Sequence, residues 1–158
     1  MMHLGLSYIG LIFLIMLFVP NFFWTKHKPK DYDRYAKNEN RILLALERFG
    51  EVTVSCLLLI FSDFNIDAAS PRLIFLVAAF ILMILYEIFW IRYFRSDQTM
   101  RDFYGGILGI PVAGASLPVV AVLLIAVYGG NPLLFFAGII LGIGHIGIHL
   151  RHKREIKP

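Results

Sequence analysis

The sequence predicts an all-α protein, a polytopic membrane helical bundle of five transmembrane helices with its N-terminus outside and its C-terminus cytoplasmic. Three observations carry that expectation. Of the 158 residues, 58% are hydrophobic and only 16% charged, with a mean hydropathy of +0.71, too apolar for a soluble domain of this length. Five apolar segments are long enough to cross a hydrocarbon core of about 30 Å at about 1.5 Å per residue. All but two of the 15 Lys and Arg residues fall on one side if those segments alternate, and the positive-inside rule makes that side the cytoplasm.

The first segment runs from Leu4 to Trp24. "MMHLGLSYIG" has no Lys or Arg before the apolar run and no small-residue cleavage pattern, so it reads as a retained helix rather than a signal peptide. A basic inner loop from Thr25 to Arg41 follows, with room for a surface helix. The second and third segments are Ile42 to Phe64 and Leu73 to Tyr93. The fourth, Gly105 to Tyr128, contains no charge, and Pro111 and Pro118 predict one kinked span. The fifth is Leu133 to Leu150, entered through a "GGNP" turn and followed by Arg151, Lys153, Arg154 and Lys157. With no repeat or second domain, residues 1–158 form one integral membrane domain, expected in a bacterial or archaeal cytoplasmic membrane.

The basic residues flank spans instead of interleaving with aromatics on a soluble face, so no nucleic acid is expected. Membrane lipids, with anionic headgroups at the cytoplasmic face, are the expected partners, and a homo-oligomer is compatible with the same reading. Cys56 is the single cysteine, which excludes an intramolecular disulfide framework and a thiolate cluster.

Ionisable side chains are costly inside a span, so they define the candidate site. The second segment carries Glu47, Arg48 and Glu51, the third Glu87 and Arg92, the fifth His145 and His149. Counted from the inner end of each helix, Glu47 is about 8 Å deep, Glu51 about 14 Å, Glu87 about 9 Å and His145 about 8 Å, with His149 near the interface. Helical phase puts Asn40, Leu44, Glu47, Glu51, Ser55 and Ser62 on one face, and Gly138, Gly142, His145, His149 and His152 on another. Glutamates near a helix N-terminus and histidines near a C-terminus also suit the helix dipole. The expected binding site is Glu47, Glu51, Glu87 and His145, with His149, Arg92 and Tyr104 at its cytoplasmic mouth and the kinked fourth helix gating access.

The spacing admits several chemistries. Binding or transport of a small cation, a proton or an amphipathic ligand uses all of these residues, because three carboxylates outnumber the cations at that depth. Two histidines at i, i+4 can also grip a metal through one helix face. A dimetal carboxylate centre is not expected, since Glu-x-x-His does not recur on two helices, and haem held by two histidines is expected still less, because His145 and His149 share a helix and cannot take opposite axial positions and no other span contains a deeply placed histidine. No particular cofactor is named by these residues. In the structural alternative the acids and Arg48 form a clasp, His149 and His152 snorkel to the headgroups, and the protein serves as a subunit of a membrane complex. Trp24, Trp90 and Tyr93 are expected as interfacial anchors.

The stretch "RDFYGGILG" from Arg101, followed by two helices joined at "GNP" and a charged tail, resembles the C-terminal hairpin of the isoprenylcysteine carboxyl methyltransferases over about a third of the chain. Asp102 and Phe103 stand where that family's pattern has His and Pro, and the longer acidic tail is missing. The resemblance implies a membrane-embedded, methyltransferase-like, lipid-modifying enzyme as an alternative, and the broken motif assigns no family.

Overall fold

The computed structural model describes residues 2–37 and 39–156; Met1, Asn38, Lys157 and Pro158, and with them part of the basic tail, lie outside the described residues. Seven α-helices are present: α1 Tyr8–Lys26, α2 Tyr32–Ala36, α3 Arg41–Ile60, α4 Leu73–Phe94, α5 Met100–Phe103, α6 Ala113–Gly129 and α7 Pro132–Glu155. A single 3₁₀ turn, Ser62–Phe64, follows α3. Among the described residues no β-strand forms.

Three of these helices, α1, α4 and α7, are long and apolar enough to cross a membrane. α6 is apolar but shorter, at 17 residues. α3 has the length, at 20 residues, but carries Arg41, Glu47, Arg48 and Glu51. The bundle is helical and membrane-compatible as expected, with three long apolar helices and one shorter one.

Local chemistry fixes the helix starts. Ser7 accepts from the Gly10 N–H to open α1, and Asn40 accepts from the Ile42 and Leu43 N–H groups to open α3. In the "GGNP" turn Gly130 takes a left-handed φ of 60°, the Asn131 side chain accepts from the Leu134 N–H, and Pro132 fills the first helical position of α7, where a missing N–H costs nothing. Thr99 and Asp102 make a reciprocal capping box around α5. The Thr99 backbone and side-chain donors hold the Asp102 carboxyl below its usual range, stabilising the turn that delivers Tyr104.

Two segment boundaries differ from the sequence expectation. Residues 4–7 are extended rather than helical and run along the end of α3, with Gly5 N donating to Ile60 O at 2.9 Å and Ser7 N to Leu59 O at 3.0 Å. The second segment accordingly ends at Ile60, because the chain then turns so that Ser62 N reaches His3 O and Asp63 meets the His3 ring. The fourth segment begins as loop: residues 105–112 are not helical, Leu108, Gly109 and Val112 all have positive φ, and α6 starts only at Ala113. Pro111 therefore precedes the helix and Pro118 alone lies within it. The glycines of "GGILGIP" make a loop, not a kinked helix, because a residue before proline is pushed out of the helical region.

The closest pairings are α3 with α7, α4 with α6, and α6 with α7. α1 is held more sparsely, and near its N-terminal end a Cβ at Gly10 would lie 1.8 Å from the Leu58 carbonyl oxygen. From that crossing α1 and α3 diverge toward their other ends. The space they leave is the site.

Candidate functional site

Between the diverging halves of α1 and α3 lies a cavity of about 680 Å³, backed by α4, α6 and α7. Its apolar wall includes Leu17, Phe18, Val52, Val119 and Leu141, and its polar end gathers Glu39, Glu47, Arg48, Glu51, Tyr104, His145 and His149. Phe18 and Val52 are exposed at 56% and 66%, so the cavity has an open apolar flank between the two helices.

The polar end is built on the most extensive helix pairing in the fold, α3 with α7. A Cβ at Gly144 would come within 2.3 Å of Glu47 N, and one at Gly50 within 2.6 Å of Leu141 Cα, so the two backbones touch on either side of the site. That approach brings side chains 98 residues apart in sequence together: His145 Nδ1 meets Glu47 Oε1 at 2.5 Å. Because a carboxylate only accepts, His145 carries its proton on Nδ1. One turn on, His149 packs against His145 with ring centroids 4.6 Å apart. Glu47, His145 and His149 each offer a ligand atom, and all three atoms lie within 4.8 Å of one another. Glu51 lies within electrostatic reach of Glu47, His145 and Arg48, and pairs with Arg48 at 3.5 Å.

A second layer holds the histidines. Tyr104, delivered by the α5 turn, places its hydroxyl 2.8 Å from His149 Nδ1 and 3.1 Å from His152 Nδ1. His152 is buried, and its Nε2 faces Glu39 Oε1 at 3.4 Å. Glu39 lies in the loop before α3, where burial, then the neighbouring Glu47, pushes its carboxyl above the usual range. Beneath this layer Trp24, Phe89, Trp90, Tyr93 and Phe103 form a continuous aromatic floor.

The structure therefore gathers Glu47, Glu51, His145, His149 and Tyr104 around one cavity, and leaves two expected residues elsewhere. Glu87 does not line the cavity, although its sequence neighbours Tyr86 and Trp90 do; its Oε1 is buried without a hydrogen-bond partner among the described residues. Arg92 is a loop clamp rather than a mouth residue, its guanidinium donating to the carbonyls of Asp102, Gly105 and Gly106 at 3.1, 2.7 and 2.9 Å. His152 does not snorkel, being 2% exposed, and Trp90 and Tyr93 are buried in the aromatic floor instead of anchoring at an interface. Gly138 and Gly142 face the α6 side chains of Leu123 and Val119; Gly144, one step off the polar stripe, makes the backbone contact with α3.

Sequence reasoning missed Glu39, Tyr32, Trp24 and Asn21 as cavity residues. Glu39 had a legible signal, an acidic residue immediately ahead of the Asn40 cap at the end of α3 that carries the polar stripe. The others depend on where the loop and α1 fold back, which periodicity does not encode. The "RDFYGGILG" stretch contributes only Phe103 and Tyr104 to the cavity wall; Asp102 is spent on the capping box. Comparison with protein-family models, curated proteins and solved structures gave no match.

Proposed function

We propose that this is a membrane protein that binds a small cation at the Glu47, Glu51, His145 and His149 end of a cavity open to the lipid. The observation that carries the reading is the gathering of one carboxylate and two imidazoles within 4.8 Å at the wall of a 680 Å³ space. A structural clasp would close its charges against one another. Here Arg48 is 74% exposed and pairs only loosely with Glu51, while the acids line open volume. Excess carboxylate in a low-dielectric site favours a cation or proton.

Both tryptophans of the chain, Trp24 and Trp90, line this cavity, so intrinsic fluorescence reports its occupancy. Protein in lipid nanodiscs, titrated separately with H⁺, Na⁺ and Zn²⁺, is expected to show a saturable change with at least one of them that Glu47→Gln abolishes. No response to any of the three, or a response that Glu47→Gln leaves intact, rules the reading out. The apolar flank at Leu17, Phe18 and Val52 favours a second ligand class, an amphipathic molecule entering from the membrane, and with it transport or modification of that molecule.

The proposal includes five crossings, with α3 and α6 spanning beside the three long apolar helices. The N-terminus is then outside and the site lies in the cytoplasmic third. The partition of basic residues supports this. With Cys56 replaced, a cysteine at Lys153 is expected to resist membrane-impermeant maleimide in intact cells and to react after permeabilisation, whereas one at Ala68 reacts at once. The reverse pattern would invert the orientation.

A further inference from the structure

The donor set at the polar end has a chemical preference. Calcium takes six to eight oxygen ligands and magnesium an octahedral shell rich in water, whereas two imidazoles and a carboxylate suit zinc and its first-row neighbours. We infer that Glu47, His145 and His149 form a mononuclear site for a divalent transition metal of the zinc class, with the fourth position facing the cavity. The inference rests on the cation reading above and names the ion.

Geometry supports it in three respects. A tetrahedral ion at about 2.0–2.1 Å from each ligand sets its donors about 3.3 Å apart, so atoms now within 4.8 Å close by about 1.5 Å at most, a side-chain adjustment. The backbone needs no movement, because Gly50 and Gly144 already hold α3 against α7. Three protein ligands beside open volume match the arrangement in which an exchangeable water or ligand oxygen takes the fourth place, unlike a closed structural site.

The second layer supplies the required tautomer. The buried Nε2 of His152 has no hydrogen-bond partner of its own among the described residues but lies 3.4 Å from Glu39 Oε1, whose negative charge favours a proton on that nitrogen. Nε2 therefore carries the His152 proton, and its Nδ1 accepts the Tyr104 hydroxyl proton. With that proton committed, the Tyr104 oxygen accepts from His149 Nδ1–H. What remains on His149 is an Nε2 lone pair, the form a metal needs. Carboxylate, histidine, tyrosine and histidine thus orient one ligand through a polarised chain, as outer-shell partners do at metal sites.

Binding is an exchange that balances. The His145 proton, now donated from Nδ1 to Glu47 Oε1, moves to Nε2 of the same ring, and the metal takes the freed Nδ1 lone pair, a Glu47 oxygen and the His149 lone pair. One N–H bond breaks and one forms, so the ring stays a neutral imidazole. The Glu51 carboxylate completes neutralisation of the dication.

Full-length, tag-free protein in nanodiscs is titrated with Co²⁺, whose tetrahedral complexes absorb strongly in the visible. Expected are one Co²⁺ per chain, displacement by Zn²⁺, and affinity that falls at acid pH, where protons compete for the imidazole nitrogens. Glu47→Gln, His145→Gln and His149→Gln each abolish the band, while replacement of both His3 and His27 by Gln leaves it. Tyr104→Phe keeps the ring and its packing; as a positioning residue it is expected to weaken Co²⁺ binding about tenfold or more and shift the band without lowering the melting temperature. A wild-type protein without a tetrahedral band, or a band that survives His149→Gln, overturns the inference. If the tryptophan response to Na⁺ or pH persists without that band, the metal assignment alone fails; if both are absent, the cation reading falls with it.

Discussion

Gly144→Ala is expected to destabilise the protein by about 3 kcal/mol and to remove cation binding in the same step. The added methyl would lie 2.3 Å from Glu47 N and 2.6 Å from Leu43 O, both backbone atoms that cannot rotate away, so α3 must move off α7. That displacement separates Glu47 from His145, whose contact spans the same two helices. The measurements are thermal unfolding in detergent and the tryptophan titration, with Gly106→Ala as the control. A Cβ at Gly106 meets nothing closer than Ile110 O at 3.8 Å, so the control should leave both unchanged. Wild-type binding in Gly144→Ala would show that the site does not depend on this helix contact.

The contrast between Gly144 and its neighbours shows how far the sequence could be read. Apolar length located the cores of α1, α3, α4, α6 and α7, since hydrocarbon-length runs have few alternative readings. Depth counting placed Glu47 and His145 in one layer, because rise per residue is nearly constant. Azimuth was harder. Of the stripe Gly138, Gly142, His145 and His149, the histidines line the cavity while the glycines face α6, because a stripe about 100° wide serves two neighbours, and the face that touches α3 is turned toward Gly144 and Leu141. Glu87 shows the same limit on α4, where Tyr86 and Trp90 line the cavity and Glu87 between them does not. Pro111 illustrates another, since a proline within an apolar run reads equally as a kink or as the end of a loop until the turn around Leu108 and Gly109 is seen. The layer formed by Glu39, Tyr104 and His152 joins three elements through side-chain hydroxyl and ring contacts, and local pattern carries no information about such a junction.

Arg92→Gln is expected to weaken cation binding although Arg92 does not line the cavity. Its guanidinium ties together the carbonyls of Asp102, Gly105 and Gly106, the segment on either side of Tyr104, and stacks over Phe89 at 5.3 Å. Glutamine presents one amide in place of a planar fork and reaches one carbonyl at best. Two acceptors then depend on water, at a cost of about 2 kcal/mol. The loss is local, because the long helices pack through α3 with α7 and α4 with α6 and make none of those contacts through the Arg92 clamp. Hydrogen exchange should therefore quicken across residues 100–112 with little change in α4 or α7. Once that segment loosens, the Tyr104 hydroxyl no longer stays within 2.8 Å of His149 Nδ1, and the histidine loses the partner that fixes its tautomer and direction. A fall in cation affinity of about tenfold is the expected reading, matching Tyr104→Phe, and the double variant should be no worse than either single one. Additive losses in the double variant would mean that Arg92 acts on the site by some route other than Tyr104.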